Sequence, residues 1–428
     1  MNTYQTFVFK RYKFDRQQKT LRLYYGYDDV LEFCETYSFE FDFTDYEEPA
    51  LDRAIQLLFF IAGVSYYKAY LAPEIIVQSG QIDESLAVFL GKTYQRGLGE
   101  FFYVNQLDPR THITFPVNSS ALEPIPIASK AGQLIGLGGG KDSLLSVELM
   151  RDQPRVATWS LNHRSQLEPL VERVGLMHYW VGREWDQQLG TLNQQGALNG
   201  HVPISAIFAC VGNIVGLLSG YRDLVVSNES SASEPTLHYQ ELAINHQYSK
   251  SLEYEQDFQA CIQRSSGDSL RYYSLLRPFS ELRIAELFSR IGFDKYQDVF
   301  SSCNRAFTHD QHQMFWCGEC PKCAFVFLIF TPFLERKRLE QLWHGKNLLL
   351  DPGLEATYRQ LLGITGDKPL DCVGEVKESR AAMRLAQATY PELNKYEFDL
   401  PEDYDFRAWS EHAMPKEIFA LLSSKLDS

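Results

Sequence analysis

Hydrophobic and polar positions alternate along the first part of the chain. Between residues 1 and about 45, apolar or aromatic side chains recur at every second position, as in TLRLYYGYD, and this period predicts β-strands. Residues 51–71 change to helical spacing, which predicts an α-helix. We therefore expect an N-terminal α+β domain over residues 1–128, with a role in substrate recognition.

A second pattern begins near Ser129, after a connection rich in Pro and Ser. From there, segments typical of strands and helices follow one another in turn, which predicts a parallel sheet covered on both faces. We expect this domain to span residues 129–335. A more charged, mainly helical region should follow over residues 336–428, with one helix at 375–389. The expected fold class is α/β.

Composition and charge narrow the function classes. The 428 residues are 45 % hydrophobic, enough for a sizeable core, and a chain of this length exceeds a single core. Lys and Arg number 41 against 55 Asp and Glu, a formal net charge of −14. That balance argues against a nucleic-acid partner, because such binding needs broad phosphate neutralisation.

Targeting and membrane signals are weak. The first fifteen residues lack the apolar core of a secretion signal, so we expect a cytoplasmic protein. Residues 204–221 are apolar but contain Asn213 and three glycines, and residues 323–334 are too few to span a bilayer. We predict that both segments are buried helices and that no membrane partner is involved.

The strongest chemical signal is QLIGLGGGKDSLLS, in which a predicted strand runs into glycines 138–140 and then into a helix. Consecutive small residues let backbone N–H groups face one point at the positive end of the helix, which suits phosphate. A Walker A loop is excluded because Ile135 and Asp142 stand where other residues are needed. A dinucleotide fingerprint would need glycine at Lys141. A tight turn that merely uses glycine is the alternative.

The loop resembles the PP-loop of the ATP pyrophosphatase superfamily, whose pattern is S-G-G-x-D-S, with glycine here in place of the leading serine. The resemblance implies a sheet of adenine nucleotide alpha hydrolase-like type and ATP cleaved between its α- and β-phosphates. Lys141 would neutralise the departing pyrophosphate and Asp142 would position Mg²⁺, so both would be catalytic. The implied ATP-binding residues of the loop are Gly138, Gly139, Gly140, Lys141, Asp142 and Ser143.

Four of the eight cysteines cluster in one segment, as Cys303, Cys317, Cys320 and Cys323. In a reducing compartment the spacing C-x13-C-x2-C-x2-C can close a tetrahedral zinc shell. A filled shell leaves no open position, so the zinc would be structural. Reduced core cysteines and an iron–sulfur or redox role are the alternatives. The placement is similar to the zinc site of 7-cyano-7-deazaguanine synthase, another PP-loop enzyme.

Polar segments supply candidate substrate contacts. Asn228, Glu229, Ser230 and Ser233 follow a predicted parallel strand, at the end where open α/β sheets bind ligands. They are candidate substrate or magnesium contacts, although a polar turn is an equal alternative. His246 lies in the non-periodic segment NHQYSKS, which is either a lid over the nucleotide or a solvated loop.

Two basic residues are further candidates. Arg277 precedes a helix that Ser280 can cap, so its guanidinium could bind phosphate or carboxylate at the mouth of the sheet. Packing or a surface ion pair is the alternative. Lys68 lies among aromatic residues, where its ammonium contacts an anionic substrate or extends to water.

Several segments together resemble the UDP-N-acetylmuramoyl-L-alanyl-L-glutamate epimerases of bacterial cell-wall synthesis. The resemblance covers most of the chain and is weakest in the first forty residues. The segments that carry it are GVSYYKA, GGGKDS, ALNGHVP, VSNESSASE, NHQYSKSLE, SLLRPFSEL, VFSSCNRAF, WCGECPKCAFVFL and CVGEVKESRAA.

The resemblance implies ATP- and Mg²⁺-dependent inversion of the terminal L-glutamate of a nucleotide-linked muramyl dipeptide, in peptidoglycan precursor synthesis. Adenylation of the α-carboxylate would remove the negative charge that otherwise opposes loss of the α-proton. Cys372 is a candidate for proton transfer, since a thiol near a helix start can have a lowered pKa, and an inert buried cysteine is its alternative. Lys68, Glu229, His246 and Glu375 are the other candidates.

Three other functions remain open. An adenylated carboxylate could be captured by ammonia, as in a ligase or amidase of the deazaguanine synthase kind. A PP-loop enzyme could modify transfer RNA, which the net charge disfavours. The chain could also be a zinc-stabilised nucleotide-binding module without catalysis. The oligomeric state is not predicted.

Overall fold

The computed structural model describes residues 4–308 and 311–426. The strands are β1 (Thr6–Asp15), β2 (Thr20–Tyr27), β3 (Leu31–Phe39), β4 (Glu74–Val77), β5 (Lys130–Gly136), β6 (Val156–Leu161), β7 (Met177–Glu184), β8 (Tyr221–Val226), β9 (Leu237–Tyr239), β10 (Leu242–Ile244) and β11 (Arg271–Ser274). Nine of these form one sheet in the order β11-β8-β5-β6-β7-β3-β2-β1-β4, and β9 pairs with β10.

The described residues also form sixteen α-helices. They are α1 (Glu48–Ala62), α2 (Val64–Tyr67), α3 (Glu84–Gly97), α4 (Gly99–Val104), α5 (Lys141–Met150), α6 (Arg164–Val174), α7 (Gln188–Gln194), α8 (Ile204–Ser219), α9 (Leu252–Ser266), α10 (Glu281–Ile291), α11 (Phe293–Tyr296), α12 (Pro321–Phe330), α13 (Arg336–Gln341), α14 (Glu355–Leu361), α15 (Val376–Gln387) and α16 (Lys416–Leu426). The helix predicted at 375–389 is confirmed as α15.

Five neighbouring strands of the sheet, in the order β7-β6-β5-β8-β11, run parallel. Counted along the chain from β5 as the first, their spatial order is 3-2-1-4-5, the order of doubly wound α/β sheets that bind nucleotides. The order reverses between β5 and β8. The α/β fold class is thus confirmed, while the PP-loop type of this sheet stays a prediction.

The N-terminal strands belong to the same sheet. Strand β3 pairs antiparallel with β7, with Thr36 opposite Glu184 and Phe39 opposite Val181. The sheet therefore crosses the expected limit at residue 128, although the domain boundaries themselves stay a prediction. Strand pairing over such a sequence distance has no local signature, so the alternating pattern predicted the strands but not their partner.

Both faces of the parallel strands are covered. Neighbouring residues such as Leu134 and Ile135 enter two different hydrophobic clusters, because successive side chains of a strand point to opposite faces. The apolar segments 204–221 and 323–334 form the buried helices α8 and α12, as predicted. Among the described helices, none has the length and apolar character that a membrane crossing requires.

The helix predicted over residues 51–71 is interrupted. Helix α1 starts earlier, at Glu48, with Pro49 in its first turn, and it ends at Ala62, before Gly63. A Cβ atom at Gly63 would lie 2.5 Å from the ring of Phe9, so the strand packs directly against the helix end. The short helix α2 follows and leads into Lys68.

Candidate functional site

The candidate site lies at the carboxyl ends of β5 and β8, where the strand order reverses. The glycine loop, residues 138–140, follows β5, Glu229 follows β8, and Arg277 follows β11. In open α/β sheets, ligands bind in the crevice outside this switch point. The topology therefore brings three of the sequence-predicted segments to one edge.

The glycine loop leads directly into α5. Gly139 has a φ angle of +90°, a conformation that favours glycine, and a Cβ there would lie 3.0 Å from Phe307. The hydroxyl of Ser143 donates to the Gly140 carbonyl at 3.1 Å. At Gly138 an added Cβ would meet nothing within 4 Å. The backbone thus borders open space, and phosphate binding there stays a prediction.

Lys141 is held inside the protein. It is 1 % exposed, and its Nζ lies 2.6 Å from Asp142 Oδ1 and contacts the Glu281 carboxylate. Burial opposes the charged form, but the two carboxylates raise the pKa of Lys141 above its ordinary value. The ammonium therefore stays charged but engaged, and its contact with pyrophosphate stays a prediction.

The same network reaches Cys372. Glu281 lies 3.6 Å from the Nζ of Lys322, a buried lysine that lies between the two last cysteines of the cluster. The Lys322 ammonium also donates to the main-chain carbonyl of Cys372. Buried polar contacts therefore link the start of α5 with the thiol proposed for proton transfer.

The Cys372 thiol lies among cationic groups. Lys250 Nζ is 3.3 Å from its Sγ atom, and His246 Nε2 is 4.0 Å away. Burial alone would raise the pKa of Cys372, but the Lys250 charge and the His246 contact, helped by Lys322, lower it to about 7. A substantial fraction of thiolate is therefore present near neutral pH, as a general base requires.

His246 is oriented by an acidic partner. Its Nδ1 atom hydrogen-bonds the carboxylate of Glu100, which also lies 3.5 Å from His201 Nδ1. Burial would lower the pKa of His246, but the contacts with Cys372 and Glu100 raise it to about 9. The imidazole is thus held in a fixed orientation, with its Nε2 atom towards the thiol.

Glu229 is the second candidate base of the site. It is 6 % exposed, and burial, followed by the charge of Glu281, raises its pKa, while Lys250 opposes the shift. Lys250 is therefore an electrostatic neighbour of both Glu229 and Cys372. Glu375 precedes α15 instead, where burial and the Glu234 carboxylate raise its pKa to about 7.

The remaining residues after β8 form local contacts. The Asn228 carbonyl accepts a hydrogen bond from a serine hydroxyl of β11. Ser230 donates to the Phe279 carbonyl at 3.0 Å, and Ser233 accepts from the Leu252 N–H at 3.0 Å. These bonds are typical of a polar turn, which is the alternative that the sequence left open. Substrate contact by these residues stays a prediction.

Arg277 is not at an open mouth. It is 1 % exposed, its Nε lies 3.0 Å from the Glu255 carboxylate, and it donates to the carbonyls of Glu229 and Lys250 at 2.5 Å each. Internal acceptors take up the guanidinium, which agrees with the packing alternative. The predicted Ser280 cap is confirmed. Arg277 fixes the main chain at Glu229 and Lys250, and ligand contact by it stays a prediction.

A cavity of about 850 Å³ lies next to His201, which contacts Glu100. Its wall includes Lys68, His201, Phe307, and the segment 162–163 that follows β6. Lys68 donates to the Asn199 side chain at 2.8 Å and to a main-chain carbonyl, and burial lowers its pKa to about 8. The volume suits a sizeable small molecule.

The four clustered cysteines meet in space. The Sγ atoms of Cys303 and Cys320 are 4.0 Å apart, those of Cys317 and Cys323 are 3.7 Å apart, and all four lie within 4.8 Å of one another. A tetrahedral zinc with Zn–S bonds of about 2.3 Å separates its sulfurs by about 3.8 Å. The thiols therefore fit such a shell, and zinc itself stays a prediction.

The cluster also supports the glycine loop. The N–H of Ser301, two residues before Cys303, donates to the Gly139 carbonyl at 3.0 Å. A structural metal would therefore stabilise the loop as well as the cluster.

Cys320→Ser should lower zinc content and thermal stability together, because binding of a structural metal contributes directly to folding. Metal analysis and a thermal unfolding curve measure both. Cys34→Ser, at a half-buried cysteine of β3, is the matched control and should change neither. An unchanged metal content in Cys320→Ser would remove the site.

Four side chains of this candidate site were not predicted from the sequence: Lys250, Glu100, Glu281 and Lys322. Lys250 lies in the NHQYSKS segment that carries His246, so the segment was identified but not this residue. Tyr248 and Ser249 of that segment are buried, which excludes a solvated loop. Glu100 and Glu281 lie in segments of ordinary helical pattern, and no local signal distinguishes them.

Two family models and three known proteins resemble this chain. Residues 1–275 match the family described as MurL N-terminal domain, and residues 299–396 match the MurL C-terminal domain. Three similar proteins are each named UDP-N-acetyl-alpha-D-muramoyl-L-alanyl-L-glutamate epimerase. The one from Xanthomonas oryzae pv. oryzae is 41 % identical over 389 residues, which cover 89 % of this chain and 85 % of the relative.

The other two relatives come from Salinispora tropica and a Micromonospora species. The Salinispora tropica protein is 40 % identical over 345 residues, 80 % of this chain and 75 % of the relative. The Micromonospora protein is 39 % identical over 338 residues, 78 % of this chain and 75 % of the relative. Because the two family matches include the glycine loop, the cysteine cluster and Cys372, the resemblance inferred from the motifs is confirmed, and the chain belongs to the MurL family of epimerases.

Proposed function

We propose that this protein inverts the terminal L-glutamate of UDP-N-acetylmuramoyl-L-alanyl-L-glutamate in an ATP-dependent reaction that yields AMP and pyrophosphate. The substrate is the one in the names of its relatives. The observation that carries the proposal is the Cys372 thiol, 3.3 Å from Lys250 and linked by buried polar contacts to the start of α5. The site thus combines a candidate proton acceptor with a loop suited to a nucleotide.

Activation of the α-carboxylate explains the need for ATP. Loss of the α-proton beside a free carboxylate would place two negative charges on adjacent atoms. Attack of the carboxylate oxygen on the α-phosphate forms an acyl-adenylate and releases pyrophosphate, after which the α-proton is far more acidic. Water then cleaves the acyl-adenylate and releases AMP. The glycine loop and α5 are the elements that would hold the phosphates.

The start of α5 offers one side chain that suits magnesium. Asp142 offers a carboxylate with a half-buried side chain at the start of α5, and carboxylates and phosphate oxygens are the usual Mg²⁺ ligands. When bound, Mg²⁺ would neutralise negative charge on the phosphates.

Inversion requires proton removal on one face of the α-carbon and delivery on the other. The Cys372 thiolate, stabilised by the Lys250 and His246 charges, is suited to removal. Glu229, whose pKa is raised, retains a proton more readily than an exposed glutamate and is suited to delivery. In the opposite direction the two groups exchange roles. We therefore assign the pair Cys372 and Glu229 to proton transfer.

The pH dependence of the reaction rate should reflect ionisation of the Cys372 thiol. The value of kcat/KM should rise through about pH 7, because the Cys372 thiolate forms as its proton is lost. The positive groups that face the thiol are Lys250, His246 and Lys322, and Glu100 contacts it only through His246. Lys250→Met should move the rising limb to higher pH by about one unit or more. Lys346→Met, at an exposed lysine, should leave the profile unchanged.

Two results of the pH experiment would contradict the assignment. The first is a rate that does not change between pH 6 and 8 in the unmodified protein. The second is an active Lys250→Met variant whose rising limb stays where it was.

The direct test of the function is the stereochemistry of the product. The protein is incubated with the L-glutamate-terminated conjugate, ATP and Mg²⁺, and the terminal residue is released and resolved by chiral chromatography. We expect D-glutamate together with AMP and pyrophosphate. A product joined to nitrogen without inversion would instead identify a ligase, and the absence of AMP would identify a binding module.

A further inference from the structure

Lys68 is a buried cation for which the described residues provide no counter-ion. Its side chain is 6 % exposed, and its two hydrogen-bond acceptors are neutral, the Asn199 amide oxygen at 2.8 Å and the Gly200 carbonyl at 2.7 Å. Within residues 4–308 and 311–426, no carboxylate forms an ion pair with it, and burial is the sole cause of its shifted pKa.

These contacts leave the Lys68 ammonium able to bind an anion from outside the chain. A buried charge is unfavourable unless it is paired, and an ammonium has three N–H donors, of which two are used. Lys68 also lines the 850 Å³ cavity. By contrast, Arg183, another cation of the cavity wall, is already paired with Glu35 at 2.8 Å.

A series of contacts connects the surroundings of Lys68 with the Cys372 thiol. Its acceptor Gly200 precedes His201, which lies 3.5 Å from the Glu100 carboxylate. Glu100 in turn contacts His246, whose Nε2 is 4.0 Å from Cys372 Sγ. Contacts through His201, Glu100 and His246 therefore connect the surroundings of Lys68 with the thiol.

We propose that Lys68 binds the side-chain carboxylate of the glutamate that is inverted, and so selects glutamate over uncharged residues. The inference rests on the proposed function. A single uncompensated positive charge matches a monoanion such as this carboxylate, whereas a diphosphate would call for more cationic donors. Only two methylene groups separate this carboxylate from the α-carbon, so an anchor at Lys68 would also restrict the position of the α-carbon.

The test compares two substrates, the natural conjugate and its analogue with a terminal L-glutamine. The unmodified protein should prefer glutamate by about 100-fold in kcat/KM, the range expected for a hydrogen bond to a charged group. Lys68→Met should reduce the preference to less than about 5-fold by slowing the glutamate reaction alone. Lys92→Met, at a lysine paired with Asp257 and Glu253, should retain the full preference.

A second variant does not depend on removing a buried side chain. Asn199→Asp should place a carboxylate beside the Lys68 ammonium, neutralise it and raise KM for the glutamate conjugate without affecting the glutamine analogue. An unchanged substrate ratio in both Lys68→Met and Asn199→Asp, with the unmodified protein active on glutamate, would overturn this inference alone. If the unmodified protein inverts neither substrate, the proposed function fails and this inference fails with it.

Discussion

Cys372→Ala should reduce inversion of the terminal glutamate by about 10²–10⁴-fold, the usual contribution of one general base. ATP cleavage should continue, because the glycine loop and Asp142 are untouched, and the acyl-adenylate should hydrolyse to AMP and the unchanged L-glutamate conjugate. The variant should therefore separate AMP release from inversion. Quantifying AMP and D-glutamate in the same reaction measures this separation.

The matched control for Cys372→Ala is Cys34→Ala, because Cys34 is also a half-buried free cysteine but lies on β3. It should retain both activities. Thermal unfolding of the two variants checks that each remains folded. Near-normal inversion by Cys372→Ala would show that the thiol takes no part in proton transfer.

Asp142→Ala should abolish both reactions together, with a loss of about 10²–10³-fold or more, since charge stabilisation at a reacting phosphate is among the largest catalytic effects. The fold should remain intact. Lys141 keeps its ion pair with the buried Glu281 carboxylate, so its charge remains paired inside the protein. AMP release and the midpoint of thermal unfolding are the two measurements.

Asp152→Ala is the matched control for this change. Asp152 follows the other end of α5 and its side chain is 80 % exposed, so its loss should leave AMP release unaffected. If Asp142→Ala released AMP at a near-normal rate, the role assigned to the start of α5 would be wrong.

Features with a local signature in the sequence could be predicted. The strand, glycine loop and helix around Gly139 could be predicted, because a positive φ angle and a helix start leave a signature of small residues. The cysteine cluster could also be predicted, since three of its four thiols lie within seven residues of one another along the chain.

Long-range contacts could not be predicted in the same way. Lys250 lies 122 residues from Cys372 along the chain, and nothing in either segment indicates that an ammonium approaches the thiol. The sequence left open whether Arg277 binds a ligand or packs against other residues, and the fold pairs it with the buried Glu255 carboxylate. Charge compensation in a core depends on the assembled fold and not on local pattern.

Hydrogen exchange at the α-carbon tests the central claim most directly. The L-glutamate-terminated conjugate is incubated with the protein in deuterated water, with and without ATP and Mg²⁺, and the terminal residue is analysed by mass spectrometry and chiral chromatography. We predict one deuterium in the inverted product when ATP is present and no exchange when it is absent. Inversion at full rate without ATP, or an inverted product free of deuterium, would contradict the account.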